Sequence, residues 1–206
     1  MKKLFLKIDQ LLQGSFKPSK LNLLLVFQVN CPGCFIYALP LATQLHHHFK
    51  TEINILGLST AFEDFSLNTI DNTRLLLEKG ELVGATKQYF HSQGASKFQL
   101  ELPFPISFDQ LGAGSELFEE ADVEHICHLN SQFADWDSET QAQARLRVKH
   151  YLQRQPISAY TFTVNQLQGT PSWIIFDAEY TILAEWFGHQ PEDQIIALLN
   201  RFVEAD

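Results

Sequence analysis

Apolar and polar positions follow two different periods along the N-terminal half of the chain. Residues 21–29 form a nearly continuous apolar run, which is typical of a strand buried on both faces. Residues 35–49 carry apolar side chains at helical intervals, and residues 53–58 form a second apolar run. A strand, a crossover helix and a second strand predict a right-handed unit with two parallel strands. The carboxyl ends of these strands should therefore meet at one edge of the sheet.

A second set of apolar runs lies near the end of the chain. Residues 172–176 and 181–187 are β-branched and aromatic runs, and the short segment 177–180 between them predicts a hairpin. Pro191, followed by two acidic residues, predicts the first turn of a terminal helix. Parallel strands and a hairpin with helices between them predict an α/β fold, in which helices flank a central mixed sheet.

The middle of the chain predicts two helical regions. Residues 66–79 and 82–92 have helical spacing, with Gly80 as a stop between them. Residues 116–154 turn polar and helical, and Ser138 stands at a capping-box position, so we expect an inserted pair of helices there.

Two shorter segments have less regular patterns. Apolar residues between positions 4 and 12 fall at helical spacing, which predicts a short helix at the start of the chain. The segment 103–108, PFPISF, has too many prolines for a central strand and is typical of an edge strand or a loop.

Length, composition and charge restrict the possible classes of protein. At 206 residues, 45% of them hydrophobic, we expect one domain over residues 1–206, with helical insertions at about 60–102 and 112–158. The 24 acidic and 15 basic residues give a net charge of −9, which argues against a nucleic acid partner or binding to an anionic membrane surface. Residues 4–6 are the whole apolar run near the start, too short for a signal peptide or a membrane span. We therefore expect a cytoplasmic protein.

The chemistry of the chain is concentrated in a Cys-x-x-Cys motif. Cys31 and Cys34 enclose Pro32 and Gly33 where the first strand gives way to the helix. A helix N-terminus stabilises negative charge, so Cys31 is the expected nucleophile, and Cys34, one turn later, the resolving thiol. Pro32 and Gly33 fix the turn, and Gly33 leaves room for a substrate. The cysteine pair is itself a redox carrier, so no bound cofactor is required.

A Cys-x-x-Cys motif can also form part of a zinc site or of a site of covalent haem attachment. A closed zinc site needs about four ligands, and the chain has no second such motif. His125, Cys127 and His128 could complete one only if the inserted helices folded back onto the loop. Phe35 stands where covalent haem attachment requires histidine, which excludes a c-type cytochrome. We expect no metal, and we interpret Cys127 as a small core residue.

The motifs together resemble a known family. The blocks VFQVNCPGCF, INILGLST, FPISFD and GTPSWIIFDAEYTILAEWFG are similar to the thioredoxin-like superfamily, more closely to its TlpA-type and peroxiredoxin-like branch. The resemblance implies a thioredoxin-like fold and a thiol-disulfide oxidoreductase that exchanges electrons with a protein dithiol or disulfide. It also implies that Pro171 is cis and stands against the cysteine pair, leaving the Thr170 backbone free to pair with an extended substrate. The implied partners are a protein substrate and a redox partner, and the oligomeric state is left open.

The sequence departs from the family pattern around the motif. Asn30 replaces a frequent tryptophan and Phe35 a frequent basic residue, so the family's substrate choice does not transfer. Leu24 and Gln28 stand where peroxiredoxins have proline and threonine, which does not support a peroxide pocket. A thiol peroxidase is therefore the second-ranked enzyme, after the oxidoreductase. A further alternative is a non-catalytic binding module that docks partners through residues 112–158.

Three further residues are candidate modulators of the cysteine pair. The predicted hairpin brings His189 toward Cys31, where it could tune the thiolate, although it could equally be an exposed residue before the last helix. Glu63 and Asp64 follow the second parallel strand, where a carboxylate could accept the Cys34 proton or instead cap the next helix.

Overall fold

The computed structural model describes residues 2–204. Its strands are β1 Ile8–Gln13, β2 Asn22–Phe27, β3 Asn54–Ser59, β4 Ile106–Asp109, β5 Leu111–Gly112, β6 Ser158–Ala159, β7 Ser172–Phe176 and β8 Ile182–Phe187. Its α-helices are α1 Leu39–Phe49, α2 Ile70–Lys79, α3 Gly84–Ser92, α4 Gly114–Leu117, α5 Glu120–His128, α6 Ser138–Gln153, α7 Tyr160–Val164 and α8 Glu192–Glu204. A π-helical turn, Cys34–Ala38, leads directly into α1.

The main sheet is mixed and has the strand order β1-β4-β3-β2-β7-β8. Strand β2 runs parallel to β3 and antiparallel to β7, and β3 runs parallel to β4. All six residues of β2 are buried, because helices and loops cover both faces of the sheet at its centre. The predicted α/β class, the two parallel strands and the central mixed sheet flanked by helices are confirmed.

The C-terminal hairpin and helix also follow the sequence pattern. Strands β7 and β8 pair antiparallel, with Ser172 opposite Phe187. The Asp177 carboxylate closes the turn by accepting hydrogen bonds from the backbone N–H groups of Glu179 and Thr181. Side chains of β8 alternate between half-buried and exposed, as expected for a strand at the edge of a sheet.

Two predicted elements are wrong. The N-terminal segment forms the edge strand β1 over Ile8–Gln13, because its backbone pairs antiparallel with β4 and this pairing outweighs the helical spacing of its side chains. Strand β4 lies inside the sheet, between β1 and β3. The prolines do not prevent this, because the strand begins at Ile106, after Pro105, whose carbonyl accepts a hydrogen bond from the Gly57 N–H.

Both regions expected to hold inserted helices are helical, with shifted boundaries. Helix α2 begins at Ile70, not at residue 66, because the Thr69 side chain caps it. Gly80 ends α2 in the left-handed conformation, as predicted. Asp137, one residue before the predicted cap, accepts from the Thr140 N–H and starts α6. Across residues 2–204, no helix combines the length and apolar character that crossing a membrane requires.

Candidate active site

The motif lies where the buried strand β2 ends and a helix begins. Its second cysteine opens the π-helical turn, in which the Leu39 N–H donates to the Cys34 carbonyl, five residues earlier. Pro40 has no N–H, and in a regular α-helix its ring would collide with the carbonyl of residue 36. The wider π turn accommodates this proline and is a feature that often occurs at functional sites.

The two cysteine side chains are in direct contact and are not joined by a disulfide bond. The Cys34 thiol donates to the Cys31 sulfur, with 2.7 Å between the two Sγ atoms. The Cys34 backbone N–H also donates to the Cys31 sulfur, at 3.3 Å. Cys31 is half-buried, whereas Cys34 is fully buried. One sulfur is therefore open to a partner, and the other can be reached only through the first.

This geometry separates the acidities of the two thiols. The hydrogen bond from Cys34 lowers the pKa of Cys31 to about 7, although burial acts in the opposite direction. Burial raises the pKa of Cys34 well above its usual range, and its hydrogen bond to Cys31 adds to this effect. Near neutral pH a large fraction of Cys31 is therefore thiolate, whereas Cys34 remains a thiol.

The segment before β7 faces the nucleophile. The Thr170–Pro171 peptide bond is cis, and the Cys31 sulfur lies 3.5 Å from the Thr170 carbonyl oxygen, to which it donates when it is protonated. The Gly188 N–H donates to the Pro171 carbonyl, which attaches the end of β8 to the same loop. Within the motif, a Cβ atom added at Gly33 would meet no atom within 4 Å. The approach to Cys31 past Gly33 and the half-buried Pro32 is open.

The three candidate modulators lie around the motif without contacting its sulfurs. Among the polar contacts of residues 2–204, those of the Cys31 sulfur are with Cys34 and Thr170. His189 is exposed and packs on the ring of Tyr37, with 4.7 Å between centroids. Asp64 is exposed, and its carboxylate accepts a hydrogen bond from the Asn30 side-chain amide. Glu63 is also exposed, and its backbone carbonyl accepts hydrogen bonds from Gln28 and Asn68. Neither carboxylate caps α2, which Thr69 does.

Sequence reasoning missed a row of amide side chains beside the cysteines. The buried Gln28 accepts a hydrogen bond from the Thr170 hydroxyl at 3.1 Å and donates to the Glu63 carbonyl at 3.4 Å. Asn68 donates to the same carbonyl, and its amide oxygen accepts from the Asn30 N–H. The row thus links the Pro171 loop to the residue before Cys31. The sequence feature that could have indicated this row is Gln28, a polar amide near the end of the apolar run 21–29.

The residues of the zinc alternative lie on a different part of the fold. His125, Cys127 and His128 are on α5, and Cys127 is buried in a small cluster with residues of α6. Within residues 2–204, no group of three or more His, Cys, Asp or Glu side chains is placed to hold a metal ion. Burial raises the pKa of Cys127, as expected for a thiol in a core.

Comparison with solved structures shows what this arrangement is similar to. A thiol-disulfide isomerase from Corynebacterium glutamicum has a TM-score of 0.59 at 18% identity, over 98% of this chain and 95% of that one. A protein described as belonging to the thioredoxin-like superfamily has a TM-score of 0.58 at 19% identity, over 98% and 97%. A thioredoxin-like protein in its oxidised form has a TM-score of 0.52 at 9% identity, over 99% and 95%. No family model and no curated protein matches the sequence.

Proposed function

We propose that this chain, whose fold is thioredoxin-like, is a thiol-disulfide oxidoreductase in which Cys31 is the nucleophile and Cys34 the resolving thiol. The observation that carries this proposal is the asymmetry of the pair. Cys31 has a lowered pKa and is partly open to solvent, and the sulfur that must resolve its mixed disulfide lies 2.7 Å behind it. Nothing else is required for disulfide exchange.

The reaction proceeds in two exchanges. The Cys31 thiolate attacks one sulfur of a substrate disulfide, forms a mixed disulfide with it and releases the other sulfur as a thiolate, which takes up a proton. Cys34 then loses its proton and attacks the Cys31 sulfur, which forms the Cys31–Cys34 disulfide and releases the second substrate thiol. The substrate gains two electrons and two protons. The cysteine pair supplies both electrons and the Cys34 proton, and the other proton, which Cys31 gave up on ionising, comes from solvent. A protein dithiol running the same steps in reverse would restore the reduced pair.

The proposed substrate is a protein, bound through an extended segment. The Thr170 backbone stands beside Cys31, and an extended chain paired with it would place its own sulfur next to the nucleophile. Tyr37 and Phe187 are each 48% exposed, and the exposed His189 lies on Tyr37. Such half-exposed aromatic side chains favour apolar segments of a protein partner. We propose a cytoplasmic protein with a second protein as redox partner, and no nucleic acid.

A trapping experiment tests the proposal. In the Cys34→Ser variant the first exchange proceeds but the second does not, so a mixed disulfide between Cys31 and the substrate accumulates. Incubated with an unfolded protein that carries one disulfide, this variant should form a covalent adduct that dithiothreitol releases. The Cys31→Ser variant, which keeps Cys34, is the matched control and should form none. Equal adduct formation by both variants would contradict the assignment of the nucleophile.

A further inference from the structure

Asn30, the residue before Cys31, makes three hydrogen bonds with residues of the segment 64–85. The Asn30 backbone N–H donates to the Asn68 amide oxygen at 2.9 Å, and the Asn30 side-chain NH2 donates to the Asp64 carboxylate at 2.8 Å. The Asn30 amide oxygen accepts from the Ala85 backbone N–H at 2.6 Å. Every polar group of this side chain is therefore used, immediately next to Cys31.

One of these hydrogen bonds takes the place of the side-chain N-cap that helix α3 lacks. Val83 is the N-cap residue of α3 and supplies no side-chain hydrogen bond to it. Ala85 is the second residue of that helix, so the Asn30 oxygen satisfies one of the N–H groups that a helix start leaves unpaired. Gly84 makes this possible. It has φ +49°, and a Cβ there would lie 2.1 Å from the Asn30 oxygen.

The residue after the motif also contacts helix α3. Phe35 is 2% exposed, and its ring packs edge to face against Phe98, with 4.9 Å between centroids, and against Phe90 of α3. Asn30 and Phe35, one on each side of the motif, thus both contact helix α3.

We infer that Asn30 is a positioning residue for Cys31: by capping helix α3 and binding the Asp64 turn, it fixes the backbone that carries the nucleophile. The Cys31 sulfur receives hydrogen bonds from the N–H and the thiol of Cys34, and both depend on where that backbone places it. This inference rests on the proposed function only in calling Cys31 the nucleophile.

The test measures the reactivity of Cys31 directly. The reduced Asn30→Ala protein is treated with iodoacetamide between pH 5 and 9.5, and mass spectrometry follows modification of Cys31. If the Cys31 sulfur moves, its hydrogen bonds from the N–H and the thiol of Cys34 weaken, and its thiolate is less stabilised. The midpoint of the pH profile should therefore move upward, toward that of an ordinary thiol. A shift of one pH unit would lower the thiolate fraction at pH 7 about fivefold. Asn72→Ala is the matched control, because it removes an amide bonded to the Leu67 carbonyl in the same segment without touching Asn30.

A second variant reaches the same contact from the helix and keeps the inference testable if Asn30→Ala does not fold. Gly84→Ala puts a methyl group against the Asn30 oxygen, and it should shift the profile in the same direction. Gly94→Ala is its control, since Gly94 also has a left-handed backbone, φ +80°, but no atom lies within 4 Å of the added carbon. The Asn30→Ala and Gly84→Ala effects should be non-additive, because both break one contact.

The possible outcomes separate this inference from the proposed function. A shifted profile in Asn30→Ala and Gly84→Ala, with both controls at the native midpoint, supports the positioning role. Native profiles in folded Asn30→Ala and Gly84→Ala proteins, with only lower melting temperatures, would show a purely structural role and overturn it. Alkylation requires no disulfide exchange, so its result stands even if the cysteine pair proves to have no oxidoreductase activity.

Discussion

The Cys34 thiol lies 2.7 Å from the Cys31 sulfur, and this single contact acts on the two residues in opposite directions. It lowers the pKa of Cys31, where a negative charge is then stabilised by a donor. It adds to the effect of burial on Cys34, whose proton is needed for that donation. The pair therefore keeps its charge on the sulfur that reaches solvent, which is the arrangement that nucleophilic attack requires.

The first prediction concerns the donor itself. The alkylation rate of Cys31 should rise with pH through a midpoint near 7, because only the thiolate reacts. Cys34→Ala removes the donor and should move this midpoint upward, whereas Cys34→Ser keeps a hydroxyl donor and should move it less. Iodoacetamide kinetics followed by mass spectrometry measure all three proteins. An unchanged midpoint in Cys34→Ala would mean that the contact does not set the acidity of Cys31.

The second prediction concerns the hydrogen bond between Thr170 and Gln28. Thr170→Val preserves the shape of the side chain but leaves the buried Gln28 amide oxygen without its donor. An unsatisfied buried acceptor costs about 1–3 kcal/mol, so the free energy of unfolding in urea should fall by about that amount. Thr170→Ser keeps the hydroxyl and should restore most of the loss. If serine and valine were equally destabilising, the hydroxyl would not be the cause.

The third prediction concerns the attachment of helix α3. Phe35→Ala removes a buried ring from a cluster with Phe90 and Phe98, and such truncations cost about 3–5 kcal/mol. Urea unfolding should show a loss of this size. Tyr151→Ala, which removes a ring that is 59% exposed on α6, should cost less than about 1 kcal/mol. Similar losses in the two variants would contradict the role of Phe35 as a core contact.

The fourth prediction concerns a buried carboxyl far from the motif in sequence. Desolvation raises the pKa of Asp109 to about 6, although the N–H groups of Thr161 and Phe162 and the Thr60 hydroxyl donate to it. Its pKa in the unfolded chain is near 4, so folding favours the protonated form. The stabilisation from this proton is fully present below about pH 4 and is lost as the pH rises through about 6.

Asp109→Asn removes this titration and tests its sign. The variant is destabilised at every pH, because an amide cannot accept all three hydrogen bonds that the carboxyl accepts. The destabilisation should be greater at pH 4 than at pH 7, by up to about 3 kcal/mol for a shift of about two units. Urea unfolding at the two pH values gives this difference. A larger loss of stability at pH 7 than at pH 4 would contradict a raised pKa of Asp109 in the folded protein.

The sequence predicted those parts of the fold that depend on local pattern. The apolar run 21–29 is typical of a strand buried on both faces, and the runs on either side of 177–180 are typical of a hairpin, so the centre of the sheet and its β7–β8 edge were predicted correctly. Strand β1 was missed because its side chains are mostly exposed and its conformation is fixed by pairing with β4, a partner about 100 residues away. Long-range pairing of that kind leaves no periodic signal in the strand itself.

The site was predictable to a similar extent and for a similar reason. Cys31, Cys34, Thr170 and Pro171 belong to compact motifs, and the structure brings them together. The contacts of Asn30 are made with residues 34 to 55 positions away, so no local pattern in the sequence predicts them. His189 was expected to lie near the sulfur, and the topology does bring its strand to the Pro171 loop, yet its ring lies on Tyr37.

The most direct test of the central claim is an equilibrium redox titration in defined thiol buffers, with reduced and oxidised dithiothreitol at the reducing end and reduced and oxidised glutathione at the oxidising end. Alkylation and mass spectrometry report the state of each cysteine, with Cys127→Ser as the control, since Cys127 is buried in a separate cluster. We expect one reversible two-electron couple confined to Cys31 and Cys34, with the same midpoint in the control. If Cys31 and Cys34 remain thiols at every ratio, or if the couple disappears in Cys127→Ser, the oxidoreductase assignment is contradicted.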